Sequence, residues 1–278
     1  MNAGQRLNAG KRVSAREKTG DIMPEQTFTI SHDNRTVRRG FSPKDEKQFS
    51  DESVQLLRRA AEEVRFLLNH GYPLKPVTKF VGNHYLFSER QRLALARSTA
   101  SDNQLAGRKS REISLSDIEE GPRCNGFPEI NVDGFNTIIT LETALSGSPV
   151  FRGMDGCIRD LAGLHGTYRI IAITTAAVDL LLQKLDSLKP EQVNIYLDAP
   201  VSNSGRLKTL LYERLESLKC SFSMDVSVIN DVDAVLKQSR NVVSSDSVIL
   251  DSCESWINLL PEILKECDGL WMVDLSLF

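Results

Sequence analysis

Four aspartates stand where short apolar runs end. Ile130-Asn131-Val132 leads into Asp133-Gly134-Phe135-Asn136, and Ile195-Tyr196-Leu197 leads into Asp198. Val226-Ser227-Val228-Ile229 precedes Asn230-Asp231-Val232-Asp233, and Val242-Val243-Ser244-Ser245 precedes Asp246. In an α/β protein, ligands are met at the carboxyl ends of parallel strands. Each acid taken alone reads equally well as a turn residue or a helix N-cap. Four in succession point to one site: carboxylates brought together repel, and a hard cation with oxygen ligands and retained waters relieves the repulsion. The chemistry supported is phosphodiester hydrolysis with Mg²⁺ or Mn²⁺, Asp133, Asp198, Asp233 and Asp246 being both metal ligands and catalytic residues.

Around them, Asn136 and Ser245 are placed to meet substrate. The loop Pro200-Val201-Ser202-Asn203-Ser204-Gly205-Arg206 follows the Asp198 strand and opens a helix. Ser202, Asn203, Ser204 and Arg206 there suit a phosphate, as would an ordinary strand-to-helix loop. Glu142, Asp155, Asp160 and Asp231 are candidates to approach the ligands without binding the ion. Solvation competes for Glu142 and helix capping for Asp155. His165, in Leu164-His165-Gly166, is expected to cap a helix end. The chain has no G-x-x-x-x-G-K-S/T loop, no G-x-G-x-x-G after a strand and no G-x-S-x-G, which leaves nucleotide-loop and nucleophilic-serine chemistry without support.

The elements that must hold these residues follow from periodicity. Residues 1–48, rich in Asn, Gly, Arg, Lys, Ser and Thr, read as a disordered basic tail. Residues 49–100 form a small helical module: Ser50 opens a helix of about five turns with Val54, Leu57, Ala61, Val64, Leu67 and Leu68 on one face, which Gly71 stops. A second helix ends at Gly82, and Ser88 caps a third whose Arg90, Arg92 and Arg97 either meet phosphates or are simply its solvated face. Residues 101–127 read as a polar linker, including Gly107-Arg108-Lys109-Ser110-Arg111. Residues 128–278 alternate strands near 129–133, 193–198, 225–229, 241–244 and 270–274 with helices at 154–165, 206–218, from Asp231 and at 252–265. That alternation predicts an α/β domain with a parallel sheet covered on both faces.

Among 278 residues, 41 % hydrophobic content suffices for a core. The net charge of −3 hides an asymmetry: 22 Lys/Arg against 16 Asp/Glu up to Cys124, then 12 against 21. A basic front and an acidic back fit a polyanion-gripping part joined to a metal-binding one, though a mildly basic solvated surface gives the same count. Five cysteines without a C-x-x-C pair argue against a zinc knuckle or a disulfide framework and for a reducing, cytoplasmic setting. No apolar run approaches membrane-spanning length, so no membrane partner is expected, and a homo-oligomer is compatible with the sequence.

The ordered set Val132-Asp133-Gly134-Phe135-Asn136, Tyr196-Leu197-Asp198, Asp231-Val232-Asp233 and Val243-Ser244-Ser245-Asp246 resembles the PIN-like nucleases, most closely their NYN branch. Over roughly 129–275 that resemblance implies a PIN-like, Rossmann-like parallel sheet sandwiched by helices. It also implies a divalent-metal-dependent nuclease acting on RNA, the four strand-end acids holding the ion. Two features depart from the pattern: Ser replaces the more usual Thr before Asp246, and the interval from Asp133 to Asp198 is long, which leaves open whether Asp155 or Asp160 replaces a usual ligand. After residue 50 the chain also resembles domain-of-unknown-function family 434. The residues concerned are Leu67-Leu68-Asn69-His70-Gly71-Tyr72-Pro73, Ser88-Glu89-Arg90-Gln91-Arg92, Asp133-Gly134-Phe135-Asn136 and Asp198-Ala199-Pro200-Val201-Ser202-Asn203-Ser204-Gly205. That likeness implies a family but no activity. Two other functions compete: a non-catalytic nucleic-acid or protein binding module on the same sheet, and a Toprim-like domain, which would place Glu where this chain has Asp133.

Overall fold

A computed structural model describes residues 28–29, 37–115, 126–163 and 166–276. Strand β1 (Phe28–Thr29) pairs in parallel with a late strand, β10 (Cys267–Asp268). Five helices follow: α1 (Asp45–Gln48), α2 (Asp51–Asn69), α3 (Leu74–His84), α4 (Glu89–Ser98) and α5 (Asp102–Arg111). Their boundaries have local causes. The Ser50 side chain caps α2, and Ser88 forms a reciprocal capping box with Gln91 at the start of α4. Gly71, at φ +82°, ends α2 as expected. Gly82 does not end α3, which runs on to His84; a Cβ there would lie 2.7 Å from Arg92 Cγ, so this glycine lets α4 approach.

The α/β part comprises β2 (Glu112–Ile113), β3 (Glu129–Asp133), α6 (Gly134–Leu145), β4 (Val150–Arg152), β5 (Ile158–Arg159), α7 (Thr174–Ser187), β6 (Gln192–Asp198), α8 (Ser204–Leu218) and β7 (Ser223–Ile229). It continues with α9 (Val232–Leu236), β8 (Val242–Val243), α10 (Ser247–Leu250), β9 (Trp256–Ile257), α11 (Leu259–Leu264), β10 and β11 (Met272–Asp274). Six strands make one parallel sheet in the order β2-β9-β8-β3-β6-β7. From β3 the chain builds outward to β6 and β7, then returns to place β8 and β9 on the other side. The point where the order reverses, between β3 and β8, is where such sheets open a crevice beyond their carboxyl ends. Alternation along β6 sends Val193, Ile195 and Leu197 into the core under α6, α7 and α8, while Tyr196 packs with the cluster of α9 and α10 on the opposite face.

The expected α/β class, parallel sheet and helical front are present. Several elements differ from expectation. The stretch 154–165 holds no helix over its described part; Val150–Arg152 and Ile158–Arg159 pair antiparallel instead, with Gly156 at φ +76° in the turn between them. Helix α6 is unexpected because it is buried all round, so its apolar residues trace no single stripe. The helix expected at 252–265 is divided between β9 and α11.

The tail and linker boundaries also move. Residues 37–48, expected in the tail, are built into the molecule: Arg38 donates to the carbonyls of Ser146 and Gly147 at the end of α6, and buried Asp45 pairs with Arg90 at 2.7 Å. Residues 102–111, expected in a linker, form α5 with a second capping box, Ser101 with Gln104. The core of the helical front includes Phe151, Met154, Leu161 and Val273, so module and domain share one apolar cluster. Among the described residues no helix is long and apolar enough to cross a membrane, and Cys157, Cys220, Cys253 and Cys267 are free thiols.

Candidate functional site

Asp133 ends β3 and also caps α6: its Oδ1 accepts the Asn136 N–H at 3.4 Å. Its Oδ2 accepts a 2.8 Å bond from Ser244 Oγ at the end of β8, and that hydroxyl oxygen accepts the Asp246 N–H at 3.0 Å. The residue is only 6 % exposed. Burial pushes its pKa up to about 7; the Ser244 bond pulls it down, while the charges of Asp246 and Asp198 add to the rise. Asp198, half-buried at the end of β6, is raised by burial and then by Asp233. Asp233, in the first turn of α9, is raised by burial and then by Asp246, with Lys237 at 3.9 Å opposing. Asp246 caps α10 through the Val248 N–H at 2.7 Å.

The couplings close a ring in which Asp133 feels Asp246 and Asp198, Asp198 feels Asp233, and Asp233 feels Asp246. The topology brings all four acids to the carboxyl edge of one sheet. They face one another without converging: among the described residues no three His, Cys, Asp or Glu side chains close round one point as direct metal ligands. The donor chemistry nonetheless fits a hard cation, being all oxygen, and Mg²⁺ is commonly held by one or two carboxylates with waters and substrate oxygens completing its shell.

Asn136 supplies the second feature of the site. Its Oδ1 accepts both the Ser245 N–H and the Ser245 hydroxyl at 2.9 Å. A backbone N–H only donates, which fixes the amide orientation and turns the NH₂ group outward, without a protein acceptor among the described residues. That fixed donor lies beside the acid ring. Ser245 is buried and spends its hydroxyl on Asn136, so its own role is to hold Asn136.

Arg159 supports this arrangement from behind. Its Nε donates to the Ser245 carbonyl at 2.7 Å, and its two terminal nitrogens grip Asp155 at 2.8 and 2.6 Å. Asp155 also receives Arg108 of α5 at 2.6 Å, and Arg108 reaches Asp251 at the same distance. Burial alone would raise Asp155, but the Arg159 and Arg108 charges overcome it and hold the pKa at about 2. The Asp155 carboxylate likewise holds the Arg159 guanidinium above its ordinary value despite burial. A continuous polar chain therefore runs from the helical front to the backbone beside the acids. Arg159 and Ser244 are the site residues that sequence reasoning misses; the one signal they carry is position, Arg159 standing next to Asp160 and four residues from Asp155, and Ser244 two residues before Asp246.

Other expected residues are placed elsewhere. Ser202 and Asn203 are committed to the chain segment near residue 168: Ser202 Oγ accepts the Tyr168 N–H at 3.0 Å, and Asn203 Nδ2 donates to the Tyr168 carbonyl at 2.6 Å. Ser204 is buried at the start of α8, and Arg206, two residues on in the same turn, is exposed. Glu142 lies nine residues into α6, about 13 Å along the axis from Asp133. It is fully buried with Tyr168 and Thr174 donating to it and Arg39 Nε at 2.8 Å, an ion pair lacking hydrogen-bond alignment. It is neither solvated nor near the acid ring. Asp160 accepts from Thr140 at 2.8 Å, Asp155 sits two residues removed from the ring behind Arg159, and Asp231 caps α9. His165 falls outside the described residues. Arg90, Arg92 and Arg97, expected on a phosphate-facing surface, are internally engaged with Asp45, the Phe87 carbonyl and Asp160.

Two family models match this two-part architecture. One, described as a protein of unknown function (DUF434), covers residues 56–111, and the other, a domain of unknown function (DUF5616), covers residues 126–262. The uncharacterised protein MJ0935 of Methanocaldococcus jannaschii is 33 % identical over 196 residues, which is 70 % of this chain and 89 % of that protein. The chain belongs to the DUF434 family. No solved structure matches it. The DUF434 segment contributes Arg108, and the DUF5616 segment carries the four strand-end acids together with Asn136, Asp155 and Arg159.

Proposed function

We propose that this DUF434 protein is a divalent-cation-dependent phosphodiester hydrolase acting on RNA. The observation that carries the reading is the ring of four carboxylates at the carboxyl edge of the sheet, each repelled by its neighbours in the ring, with Asp133 buried and its pKa raised to about 7. A bound Mg²⁺ or Mn²⁺ would polarise a phosphoryl oxygen and lower the pKa of a coordinated water. Asp133 and Asp198, ending adjacent parallel strands, would hold the ion, with Asp246 and Asp233 engaging its waters. The outward NH₂ of Asn136 would donate to a phosphate oxygen, its aim set by Ser245 and Arg159. RNA as the substrate rests on the likeness of the four motifs to NYN-type nucleases.

The test is cleavage of end-labelled RNA with Mn²⁺, with Mg²⁺ and with chelator, comparing the parent with Asp133→Asn and Asp246→Asn. Metal-dependent product from the parent, and none from the variants, is expected. Variants that cut as fast as the parent would remove these acids from the mechanism. A second reading, cation-assisted binding without turnover, is favoured by one observation: among the described residues no three acids converge as direct ligands. Metal-dependent retention of uncut RNA would select it.

A further inference from the structure

Alternation along β6 and β7 makes one face of these two strands polar. Val193, Ile195 and Leu197 enter the core with Met224 and Val226, so the opposite face presents Gln192, Asn194 and Tyr196 in register with Ser223, Asp225 and Ser227. On that face α9 packs against β3 and β6, and the chain beyond it passes over buried Asn131, whose Nδ2 donates to the Arg240 carbonyl at 2.9 Å. The remainder is open among the described residues: Ser223 and Asp225 are exposed, and Gln192, Asn194 and Ser227 half-buried. Parallel sheets are ordinarily covered on both faces. Here two of the six strands are bare on one side.

The bare face is preorganised by hydrogen bonds that can run in one direction only. A carbonyl only accepts, so the Arg240 bond fixes the Asn131 amide and turns its Oδ1 to β6. That oxygen receives Asn194 Nδ2 at 3.1 Å and the Tyr196 hydroxyl at 3.3 Å. Asn194 Oδ1 is thereby fixed as an acceptor and takes Gln192 Nε2 at 3.0 Å, which turns Gln192 Oε1 away without a protein donor among the described residues. On β7, Asp225 Oδ2 takes the Ser227 hydroxyl at 2.8 Å and leaves Oδ1 to solvent. The face therefore offers hydrogen-bond acceptors, on neighbouring strands, to a ligand that brings donors.

We propose that this face reads the bases of single-stranded RNA and selects those with an amino group, such as cytosine, over uracil. The proposal rests on the acid ring being an RNA site: Asp198 continues the row of Gln192, Asn194 and Tyr196 on the same face, about 20 Å from Gln192. A strand held at the ring can lay its next bases along that row. Unpaired bases expose their edges, and a carboxylate accepts from the cytosine amino group. Lys237 and Arg240, partly exposed on the chain that borders the face, are the cations nearest to the phosphates of such a strand. A protein partner fits less well, because the core of a protein interface is apolar and the exposed residues here are Ser223 and Asp225.

The experiment is fluorescence anisotropy of short end-labelled oligo(C) and oligo(U), with chelator and again with Mg²⁺. The parent is expected to bind oligo(C) about tenfold more tightly than oligo(U). Asp225→Asn, at an exposed position, is expected to keep its circular dichroism spectrum and to bind oligo(C) no better than oligo(U). Equal binding of the two RNAs by the parent, a preference that survives Asp225→Asn, or no binding of either RNA overturns the proposal. Mn²⁺-dependent cleavage judges the hydrolase reading separately. A parent that cuts RNA yet treats oligo(C) and oligo(U) alike keeps that reading and loses this one, whereas a parent that discriminates through Asp225 but never cuts keeps this one and loses the hydrolase.

Discussion

Replacing Asp133 by Asn keeps the shape of the side chain while removing a buried charge, and its effect on stability should depend on pH. In the folded protein the carboxyl has a pKa of about 7 against an ordinary 3.8, with burial as the main cause. Between those values the folded state holds a proton that the unfolded chain has released, so stability falls as pH rises from about 4 to about 7 and stays low above it. That rise corresponds to about 4 kcal/mol. The variant loses the charge-assisted form of the Ser244 bond, worth about 1–2 kcal/mol. At about pH 8 it should therefore be more stable than the parent by about 2–3 kcal/mol, and near pH 4 the difference should vanish or reverse. Urea unfolding followed by the fluorescence of Trp256 and Trp271 at several pH values measures this directly. Parallel pH profiles for parent and variant would refute the reasoning, because they would mean that Asp133 ionises normally in the fold.

Three further outcomes follow from the surroundings of the site. Asp155→Asn strands the buried Arg108 and Arg159 charges and should cost about 3–5 kcal/mol near neutral pH. Because Asp155 is depressed to about 2, its stabilisation is present above about pH 4 and fades as pH falls towards 2, so the variant's acid unfolding curve should be flatter than the parent's. In Gly134→Ala the new Cβ would lie 2.6 Å from Leu197 Cδ2 and 2.9 Å from the Tyr196 carbonyl oxygen, forcing α6 off the sheet; a loss of about 1–3 kcal/mol in denaturant melts is expected. Asn136→Ala should leave the far-ultraviolet circular dichroism intact yet lower RNA cleavage by about 10²-fold, through loss of a fixed donor. Cleavage at the parent's rate would show that the amide does not touch substrate.

How far the sequence foretells the molecule depends on burial. Strands β3, β6 and β7 are legible because alternating or unbroken apolar runs end in Asp or a polar turn, and α2 because one of its faces is wet and its stripe therefore shows. Helix α6 is illegible for the opposite reason: with sheet, α7 and α11 around it, Phe135, Ile138, Ile139 and Leu141 are buried along with Thr137, Thr140 and Thr143, and no wet, charged face remains to reveal the period. The acids are legible as strand ends, but their partners are not. Ser244 and Asp133 lie 111 residues apart, and Arg159 reaches the Ser245 carbonyl across 86 residues. Nothing in local spacing announces such contacts. The arginines of α4 mislead because a charged residue in a sequence looks solvated, whereas Arg90 meets an Asp45 that lies in a stretch of tail-like composition.

The central claim is that Asp133, Asp198, Asp233 and Asp246 serve one cation. Calorimetric titration of Mn²⁺ at about pH 8, where Asp133 is ionised, tests it most directly on the parent and on the four single Asp→Asn variants. A single site in the parent, weakened at least about tenfold by each of the four substitutions, is the predicted result, the loss of one ligand or water-holding charge being worth about 1.4 kcal/mol or more. Parent-like Mn²⁺ affinity in all four variants, or no measurable binding in any protein, would contradict it.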